Sequence, residues 1–393
     1  MISYPIPPHP HAITLTTTYP TNSLQFLKQV AKQGEDENKL NQLPPQTKLQ
    51  LRIAIVGAGL GGLATAIALA RHGHSVTVLE QAQKLGEVGA GIQIPPNSGL
   101  LLERWGVNPF LEGKISEPEG MTFRRWQDGS PIAYTKLLPE FRDNFKSSYK
   151  VVHRADYHNA LYQRALQLGV DIKVNCRVVA YDSEIPAVDI ADGSRISSDL
   201  VIGADDPASW KSESAIKDMR NEFTGWDSSL TKVINMIDKT LKWPLVSGSR
   251  LPTWTASSSK VIIIGDAAHA MVPYMSQGAA MAIEDGGALA VVLSLIEDRS
   301  EIPFALRVFE KERIKRTSQM QDASLVNGLL WHFRDGPEQR ARDAAMAAEI
   351  QGRPFLSSAN QWSDPVTQWW AYGYDAETEI ERAWNLAVEG DTN

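Results

Sequence analysis

The stretch that decides the fold is Arg52–Glu80, RIAIVGAGLGGLATAIALARHGHSVTVLE. Ile53–Val56 is a short apolar run rich in β-branched residues, which is typical of a strand buried on both faces. A G-x-G-x-x-G pattern follows it, and the Ala- and Leu-rich run Leu63–Arg71 predicts a helix. His74–Leu79 predicts a second strand, with Glu80 at its end. The stretch therefore predicts a strand–helix–strand unit.

The three glycines of that pattern have separate physical uses in a dinucleotide-binding turn. Gly57 permits a tight turn, Gly59 has no side chain to block a pyrophosphate, and Gly62 lets the helix pack close to the strand. The start of the helix offers free N–H groups and a partial positive charge to phosphates. Glu80 lies 23 residues after Gly57, close to the spacing of about 20 expected for an acid that binds a ribose 2′-OH. These features predict a Rossmann-like dinucleotide site.

A second strand-to-helix element occurs much later in the chain, within Lys260–Asp285. Val261–Ile264 predicts a strand, and Asp266 follows where such a strand opens toward a cofactor. Gly278 and Ala279 stand at the start of the next predicted helix, which can again face negative charge. We expect the two elements to address opposite ends of one long dinucleotide.

Two segments between these elements also suggest ligand contacts. The glycines of Gln83–Leu102 suit a backbone held close to something flat or charged, and Asn97 or Ser98 is expected to cap the helix that follows. Arg154 begins another predicted helix, where the helix dipole does not favour a cation. Its position indicates an anionic partner, and an ordinary solvated arginine is the alternative.

The composition limits the class of protein. The chain has 393 residues, 43% of them hydrophobic and 22% charged, as in a globular enzyme. A net charge of −7 predicts no nucleic-acid partner, and the lack of a long apolar run predicts no membrane-spanning helix. Cys176 is the only cysteine, so intrachain disulfides and cysteine metal clusters are excluded. We expect no metal site and a cytoplasmic location.

Three segments resemble the fingerprints of FAD-dependent aromatic-ring (class A) monooxygenases: VGAGLGGLATAIALARHGHSVTVLEQ, DLVIGAD and GDAAHAMVPYMSQGAAMAIED. The chain is most similar to salicylate hydroxylases and their relatives in fungal secondary metabolism. EVGAGIQIPPNS, HRADYH and SDPVTQWWAYGYDAETE fit the same group, so the resemblance covers nearly all of Arg52–Trp384. It implies an α/β fold in which a Rossmann-like FAD-binding domain is joined by a second, substrate-side sheet and a helical C-terminal region.

The resemblance also implies a role for individual residues. The glycine loop is expected at the FAD pyrophosphate, Glu80 at the adenosine ribose and Asp266 at the ribityl chain. Pro273 is expected near the flavin ring, and the helix start at 278–279 at the pyrimidine end of that ring. The residues expected to bind FAD are Gly57, Gly59, Gly62, Glu80, Ala90, Gly91, Arg154, Asp266, Gly278 and Ala279.

Family members take a hydride from NADH or NADPH and transfer one oxygen atom of O₂ to a phenol-like ring. The resemblance therefore implies a small phenolic substrate, aromatic or polyketide-derived, and a biosynthetic role. The protein has to position the ring and exclude water, and it needs no nucleophile of its own. We assign no catalytic side chain, and we expect His269 to be structural.

One interval departs from the family pattern. The chain reads Asp205-Asp206-Pro207 where relatives have Asp-Gly, and Asp205 and Asp266 are only 61 residues apart. Relatives carry much of the substrate-side sheet in a longer interval, so this sheet is expected to be truncated. Three alternatives stay open: an active monooxygenase whose pocket is reduced or is completed in a homodimer, an FAD-binding protein without hydroxylase activity, and an imperfect gene model.

These observations together predict five regions along the chain. The regions are a disordered extension at 1–51, an FAD-binding domain with interleaved substrate-side strands at 52–206, a remnant of the substrate domain at 207–258, a closing strand and helices at 259–348, and a loop-rich tail at 349–393.

Overall fold

The computed structural model describes residues 44, 46–86, 90–205, 212–213, 216–242 and 245–391. Most of the predicted extension at 1–51 and the Asp206-Pro207 turn lie outside these residues.

The described strands are numbered along the chain. They are β1 (Arg52–Val56), β2 (Ser75–Leu79), β3 (Gly91–Ile94), β4 (Ile115–Ser116), β5 (Gly120–Arg124), β6 (Pro131–Lys136), β7 (Lys150–His153), β8 (Asp171–Lys173), β9 (Val178–Asp182), β10 (Ala187–Ile190), β11 (Arg195–Ser197), β12 (Leu200–Gly203), β13 (Ser212–Glu213), β14 (Leu241–Lys242) and β15 (Val261–Ile263).

The described helices follow the same convention. They are α1 (Leu60–Arg71), α2 (Pro96–Arg104), α3 (Glu140–Phe145), α4 (Arg154–Gln167), α5 (Ile216–Glu222), α6 (Ser228–Asn235), α7 (Asp266–His269), α8 (Gly278–Ser294), α9 (Ile302–Trp331), α10 (Pro337–Ile350), α11 (Pro365–Tyr372) and α12 (Ala376–Asp391). Short 3₁₀ turns lie at Asn108–Phe110, Pro273–Met275 and Arg299–Glu301. Among the described helices, none combines the length and the apolar character needed to cross a bilayer.

Five parallel strands form the central sheet, in the order β15-β12-β1-β2-β8. β1 lies in its middle, where Ile53 pairs with Leu200 of β12 and with Val76 of β2. Every residue of β12 and all but the first of β1 are buried, which confirms that the apolar run of β1 is a core strand. Because parallel strands need a crossover connection, α1 joins β1 to β2.

The helices α1 and α8 pack unusually closely through small residues. A Cβ added to Gly61 would lie 3.0 Å from the Cβ of Ala282, and one added to Gly286 would lie 2.9 Å from the Cα of Thr65. Residue numbers rise together in the two pairs, 61 with 282 and 65 with 286. The helices therefore run parallel, and both begin at the same end.

Three clusters of buried apolar side chains lie within the described residues, and the smallest packs β1, β2 and β12 against β10. The main core lies between the central sheet and the helices α1, α4, α8, α9 and α12. The second is rich in aromatic and sulfur-containing side chains and joins β6, α3 and the C-terminal segment. Its buried members are Leu137, Phe141, Phe145, Tyr149, Met275, Met281, Met320, Trp362, Ala371 and Tyr372.

The remaining strands form only small sheets. β3, β7 and β4 make one antiparallel sheet, β9 to β11 make another, and β5 pairs with β6 alone. Within the described residues, no sheet besides the central one has more than three strands. This architecture agrees with the predicted α/β class, in which a Rossmann-like sheet is accompanied by a reduced second sheet and a helical C-terminal region.

The predicted loop-rich tail at 349–393 was wrong, because α11 and α12 occupy much of it. The carboxylate of Asp364 caps α11 by accepting from the backbone N–H of Thr367 at 2.9 Å. On α12, Ile380 is buried, and Ala383, Trp384 and Ala387 pack against the main core at helical spacing.

The predicted cap of α2 was also wrong. The residue before the helix is Pro95, and neither of the expected side chains caps it. Pro96 occupies the first helical position, where its fixed φ suits the helix and its missing N–H leaves no donor unpaired. The side chain of Asn97 is instead buried and bonded to Gln277, which precedes α8, and to Glu284 of α8.

Candidate functional site

Two of the three glycines in the loop after β1 cannot carry a side chain, and the third has open space beside it. Gly57 has φ 103°, and a Cβ there would lie 2.8 Å from the carbonyl oxygen of Ala204. A Cβ on Gly62 would lie 2.0 Å from the carbonyl oxygen of Gly57, so only glycine allows α1 to start so close to the turn. A Cβ on Gly59 would meet no atom within 4 Å. The space beside Gly59 can therefore accept a ligand.

The starts of α1 and α8 have the same electrostatic character. Gly59 precedes α1 and Gln277 precedes α8, and neither helix has a side-chain cap or an acidic residue in its first turn. Their first N–H groups have no partner within the helix, and the dipole makes each start partly positive. Because α1 and α8 are parallel, both positive ends lie on the same side of the molecule.

Glu80 follows β2, the strand next to β1, and its carboxylate is held by backbone groups. Oε2 accepts from the N–H of Ala58 at 2.9 Å, and Oε1 accepts from the N–H of Ala82 at 2.8 Å. Each carboxylate oxygen keeps a second lone-pair direction for a further donor. The acid is thus fixed against the glycine loop with acceptor capacity left for a sugar hydroxyl.

The helix α4 is bonded to the same loop. The Nε2–H of His158 donates to the carbonyl oxygen of Ala58 at 2.7 Å. Arg154 lies one helical turn earlier and therefore on the same face of α4. Its N–H donates to the carbonyl oxygen of Ala90 at 2.8 Å, while Gly91 pairs with the preceding β7. Ala90, Gly91 and Arg154 thus lie together at the start of α4, which is itself bonded to the glycine loop after β1.

The side chain of Ala282 lies against glycines of both elements. Gly265 has φ 61°, and a Cβ there would lie 3.3 Å from the Cβ of Ala282, the same atom that approaches Gly61. Asp266 follows as the exposed first residue of α7. β15 and β1 are separated by one strand, so their carboxyl ends lie about 10 Å apart. The structure therefore brings all ten predicted site residues to one edge of the central sheet.

A buried hydrogen-bond network supports the start of α8. Asn97 Nδ2 donates to Gln277 Oε1 at 2.9 Å and to Glu284 Oε1 at 2.7 Å. Arg313 donates to Glu284 at 2.7 Å, and Arg316 donates to it at 3.1 Å. Arg316 also donates to two backbone carbonyls of α11. Since these side chains are all buried, the helix start is tied firmly to α2, α9 and the C-terminal segment.

Asp285 extends this network to the end of β15. One carboxylate oxygen accepts from the N–H of Gly265 at 3.0 Å and contacts His269 Nε2 at 2.6 Å, and the other accepts from Arg313 at 2.8 Å. Burial alone would raise the pKa of Asp285, but His269 and Arg313 lower it to about 2. The carboxylate is therefore ionised at neutral pH. His269 is buried in this cluster, as expected for a structural residue.

The sequence analysis did not identify the residues that hold the glycine loop and the start of α8 in place. His158 and Asn97 act through partners far away in the chain, and no local pattern marks such pairs. Glu284 and Asp285 did carry a signal. Two adjacent acids inside an otherwise apolar helix have to be paired when they are buried.

A separate cleft of about 310 Å³ lies elsewhere in the fold, with Asp199, Lys260 and Arg299 among its lining residues. Asp199 precedes β12 and Lys260 precedes β15, so the cleft is at the amino ends of the strands. The glycine loop is at their carboxyl ends, and ligands of open α/β sheets bind there. The cleft is not part of the candidate site.

The arrangement fits FAD. Gly59 and Gly91 have open space where a side chain would stand, as close approach of a flat or charged ligand requires. Two uncapped helix starts offer donors to anionic groups, and Glu80 offers acceptors to a ribose. The fold and the site thus define a dinucleotide-binding α/β protein.

The comparisons with known proteins identify the family. The chain belongs to the FAD binding domain family, which its sequence matches over residues 50–243 and 250–324. The FAD-dependent monooxygenase OpS4 of Beauveria bassiana (strain ARSEF 2860) is 31% identical over 83% of this chain and 95% of the relative. The 3-hydroxybenzoate 6-hydroxylase 1 of Aquipseudomonas alcaligenes is 30% identical over 82% of this chain and 97% of the relative. The protein is thus a flavin monooxygenase by family.

Solved structures share the fold. FqzB matches with a TM-score of 0.70 and 23% identity over 90% of this chain and 96% of its own. A salicylate hydroxylase, solved with its substrate, matches with a TM-score of 0.67 and 20% identity over 86% of this chain and 98% of its own.

The comparison with OpS4 also concerns the short interval between Asp205 and Asp266. The alignment extends over 412 positions, more than the 393 residues of the whole chain. The chain contributes 83% of its residues, about 326, which leaves about 86 positions of the relative without a counterpart. The total number of these unmatched positions agrees in size with the expected truncation of the substrate-side sheet.

Proposed function

We propose that the protein hydroxylates an aromatic or polyketide-derived phenol in a biosynthetic pathway, using FAD, O₂ and NADH or NADPH. Membership of the FAD binding domain family supports the cofactor. Two similar proteins are named FAD-dependent monooxygenases, OpS4 of Beauveria bassiana and atnJ of Arthrinium sp, and a third is named for 3-hydroxybenzoate hydroxylation. These names support oxygen transfer to a hydroxylated ring.

The observation that carries this proposal is the convergence of α1 and α8 on one edge of the sheet. In the proposed complex, Gly57, Gly59 and Gly62 let the pyrophosphate approach the start of α1. Glu80 accepts hydrogen bonds from the adenosine ribose. Arg154 holds the cofactor from the α4 side, next to the strand that begins at Gly91, with Ala90 beside it. These groups bind the adenosine half.

The flavin half belongs to the second element. Asp266 binds the ribityl chain, and Pro273 lies near the ring. Gly278 and Ala279 direct backbone N–H groups at the pyrimidine end, where the positive helix start stabilises negative charge. When bound, FAD supplies the redox chemistry with the nicotinamide and O₂. The protein side chains bind and orient the reactants and exclude water from the ring.

Turnover assays with the full chain test this proposal. We expect a yellow protein at saturating FAD whose NADH or NADPH oxidation rises when a phenol is added, with a product that gains one atom from isotopically labelled O₂. A protein that stays colourless contradicts the proposal at the level of the cofactor. A protein that binds FAD without phenol-stimulated oxidation contradicts hydroxylation and supports the non-catalytic alternative.

A further inference from the structure

The cleft at the amino ends of the strands has the size of a small ligand site. Its volume of about 310 Å³ lies at the lower end of the range for ligand pockets and can hold one ring with a polar group attached. The apolar part of its lining consists of Pro186, Ile302 and Pro303, and the other lining residues are polar or charged. The cleft therefore offers an apolar surface next to a polar one.

A tight turn before β15 holds three of the polar lining residues in place. The N–H of Ala256 donates to the carbonyl oxygen of Val261 at 2.9 Å, and the N–H of Ser259 donates to that of Ala256 at 2.8 Å. Ser258 Oγ accepts from the N–H of Lys260 at 3.3 Å, and its own O–H can donate to a ligand. Because the backbone of the turn is bonded in this way, the turn presents Ser258, Ser259 and Lys260 to the cleft without help from a ligand.

Asp199 holds two arginines at the same edge of the sheet. Its carboxylate accepts from Arg52 Nη2 and from Arg299 Nη2, each at 3.3 Å, and from the backbone N–H of Arg52 at 2.8 Å. A guanidinium has five N–H donors, and this contact uses one of those of Arg299. Lys260 Nζ donates to the carbonyl oxygen of Glu184 at 2.6 Å, which uses one of its three donors. Arg299 and Lys260 can therefore donate to a ligand as well.

The cleft carries a net positive charge. Among the described residues that line it, Asp199 is the one acid, and Lys260 and Arg299 are cations. Together with Arg52 at the same carboxylate, three positive charges face one negative charge, which leaves a net charge of +2. The start of α9 adds to this potential, since its first turn has no acidic residue and Ile302 of that turn lines the cleft.

Two acids before α9 are bonded to the backbone beside it. The carboxylate of Asp298 accepts from the N–H of Ser300 at 2.8 Å, and that of Glu301 accepts from the N–H of Glu297 at 2.7 Å. Neither acid is among the described residues that line the cleft. They therefore do not neutralise Lys260 and Arg299 at close range.

These features fit a phosphate group better than a carboxylate. A phosphate monoester carries about −1.5 to −2 charges at pH 7, which balances the cleft, whereas a carboxylate carries one. Its oxygens accept strong charge-assisted hydrogen bonds from arginine and lysine, and hydroxyl groups add further donors. The apolar part of the lining then contacts a small organic group on the phosphate.

We propose that this cleft is a second ligand site and that it binds a small organic phosphate monoester. Arg299 and Lys260 bind the phosphate, Ser258 donates to it, and Asp199 keeps Arg299 in position. The inference goes beyond the proposed function and does not depend on it, because the cleft and the glycine loop lie at opposite ends of the strands.

Calorimetric titration of the full chain in saturating FAD tests the site, since bound FAD occupies the proposed phosphate site at the glycine loop. The probes are cyclohexyl phosphate, cyclohexanecarboxylate and cyclohexanol, whose common ring does not imitate a phenol. We expect one molecule of cyclohexyl phosphate to bind, at least about tenfold more tightly than the alcohol and at least about threefold more tightly than the carboxylate. A lack of saturable binding, or an alcohol or carboxylate that binds as tightly as the phosphate, would overturn the proposal.

Two variants test the cleft residues. Lys260→Gln and Arg299→Gln should each raise the Kd for cyclohexyl phosphate at least about fivefold, while the melting temperature and the Kd for FAD stay unchanged. Arg382→Gln is the matched control, because this surface arginine lies on α12 and pairs with Glu379. An unchanged Kd in both cleft variants, or an equal rise in the control, would overturn the assignment.

A vesicle assay separates a soluble ligand from a lipid, because phosphatidic acid also carries a phosphate monoester. The full chain is sedimented with vesicles of phosphatidylcholine that contain phosphatidic acid. We expect the protein to remain in the supernatant, as a small soluble ligand requires. Retention on these vesicles that is lost in Lys260→Gln would overturn the assignment to a small ligand.

Discussion

The starts of α1 and α8 face the same edge of the sheet, but the protein supports them in different ways. The start of α1 depends on backbone contacts, since Gly62 packs directly on Gly57. The start of α8 depends on side chains, since Asn97, Gln277 and Glu284 form a buried chain of hydrogen bonds behind it. We call the start of α1 the first anchor and the start of α8 the second anchor. The first is held by residues that are close in sequence, and the second by residues on α2, α8, α9 and α11.

This difference shows how one cofactor site can combine local and long-range support. The glycine loop needs only a short sequence to adopt its shape, because its glycines remove the side chains that would clash. The start of α8 consists of Gly278, Ala279 and Ala280 and has no side-chain cap, so its orientation is set by packing and by buried charge. We therefore expect substitutions at the two anchors to act through different physical effects.

The largest effect is expected for Gly62→Ala. The added Cβ would lie 2.0 Å from the carbonyl oxygen of Gly57, so the turn and the helix would have to separate. We expect the free energy of unfolding, measured by urea denaturation of the FAD-free protein, to fall by more than about 4 kcal/mol.

Gly59→Ala is the matched control for that substitution, because its Cβ meets no atom within 4 Å. Its free energy of unfolding should stay within about 1 kcal/mol of the unsubstituted protein, while FAD binding weakens at least about tenfold because the methyl group enters the ligand space. Equal stability of the two variants would contradict the local account of the first anchor.

Arg313→Met tests the second anchor and should have the next largest effect. It removes a partner from both Glu284 and Asp285, which are fully buried. Breaking such a pair typically costs about 3 kcal/mol or more, which calorimetric or urea unfolding would detect. Arg382→Met is the control, since Arg382 is exposed and pairs with Glu379 on the surface, where a loss below about 1 kcal/mol is expected. Similar losses in both variants would argue against a supporting role for the network.

The pH dependence of stability should also separate the two regions. Burial lowers the pKa of His74, in the turn between α1 and β2, from 6.5 to about 4, with a smaller contribution from His72. The folded state keeps this histidine neutral, so stability is lost as pH falls from about 6.5 to about 4, and we expect about 2 kcal/mol less at about pH 5 than at about pH 7. His74→Gln should remove this loss. An unchanged slope in that variant would refute the assignment.

The second anchor responds in a lower pH range. The pKa of Asp285 is lowered from 3.8 to about 2, despite burial, by His269 and Arg313. Its contribution to stability is present above about pH 4 and is lost only as pH falls toward about 2. As pH falls, the stability that depends on neutral His74 should therefore be lost before the stability that depends on ionised Asp285.

The contrast between local and long-range contacts also explains how much of the fold and of the site could be predicted from the sequence. The roles of Gly57 and Gly62 in the turn follow from three glycines at fixed spacing, since the physical constraint is local. The partner of Asn97 could not be found in this way, because Glu284 is 187 residues away. The loop-rich tail was mispredicted because the apolar spacing around Ile380 becomes clear only against the core that it covers. The substrate side was predicted as reduced from one short interval, and within the described residues no sheet besides the central one has more than three strands.

The measurement that tests the central claim most directly compares FAD with its ADP fragment in Gly59→Ala and Asp266→Ala. If both anchors bind one FAD, Gly59→Ala should weaken FAD and ADP alike, whereas Asp266→Ala should weaken FAD at least about tenfold and leave ADP unchanged. Cys176→Ala, at a half-buried residue outside the site, should change neither affinity. Unchanged FAD affinity in Asp266→Ala, or an equal loss of FAD and ADP affinity there, would contradict the claim that residue 266 holds the flavin half of the same nucleotide.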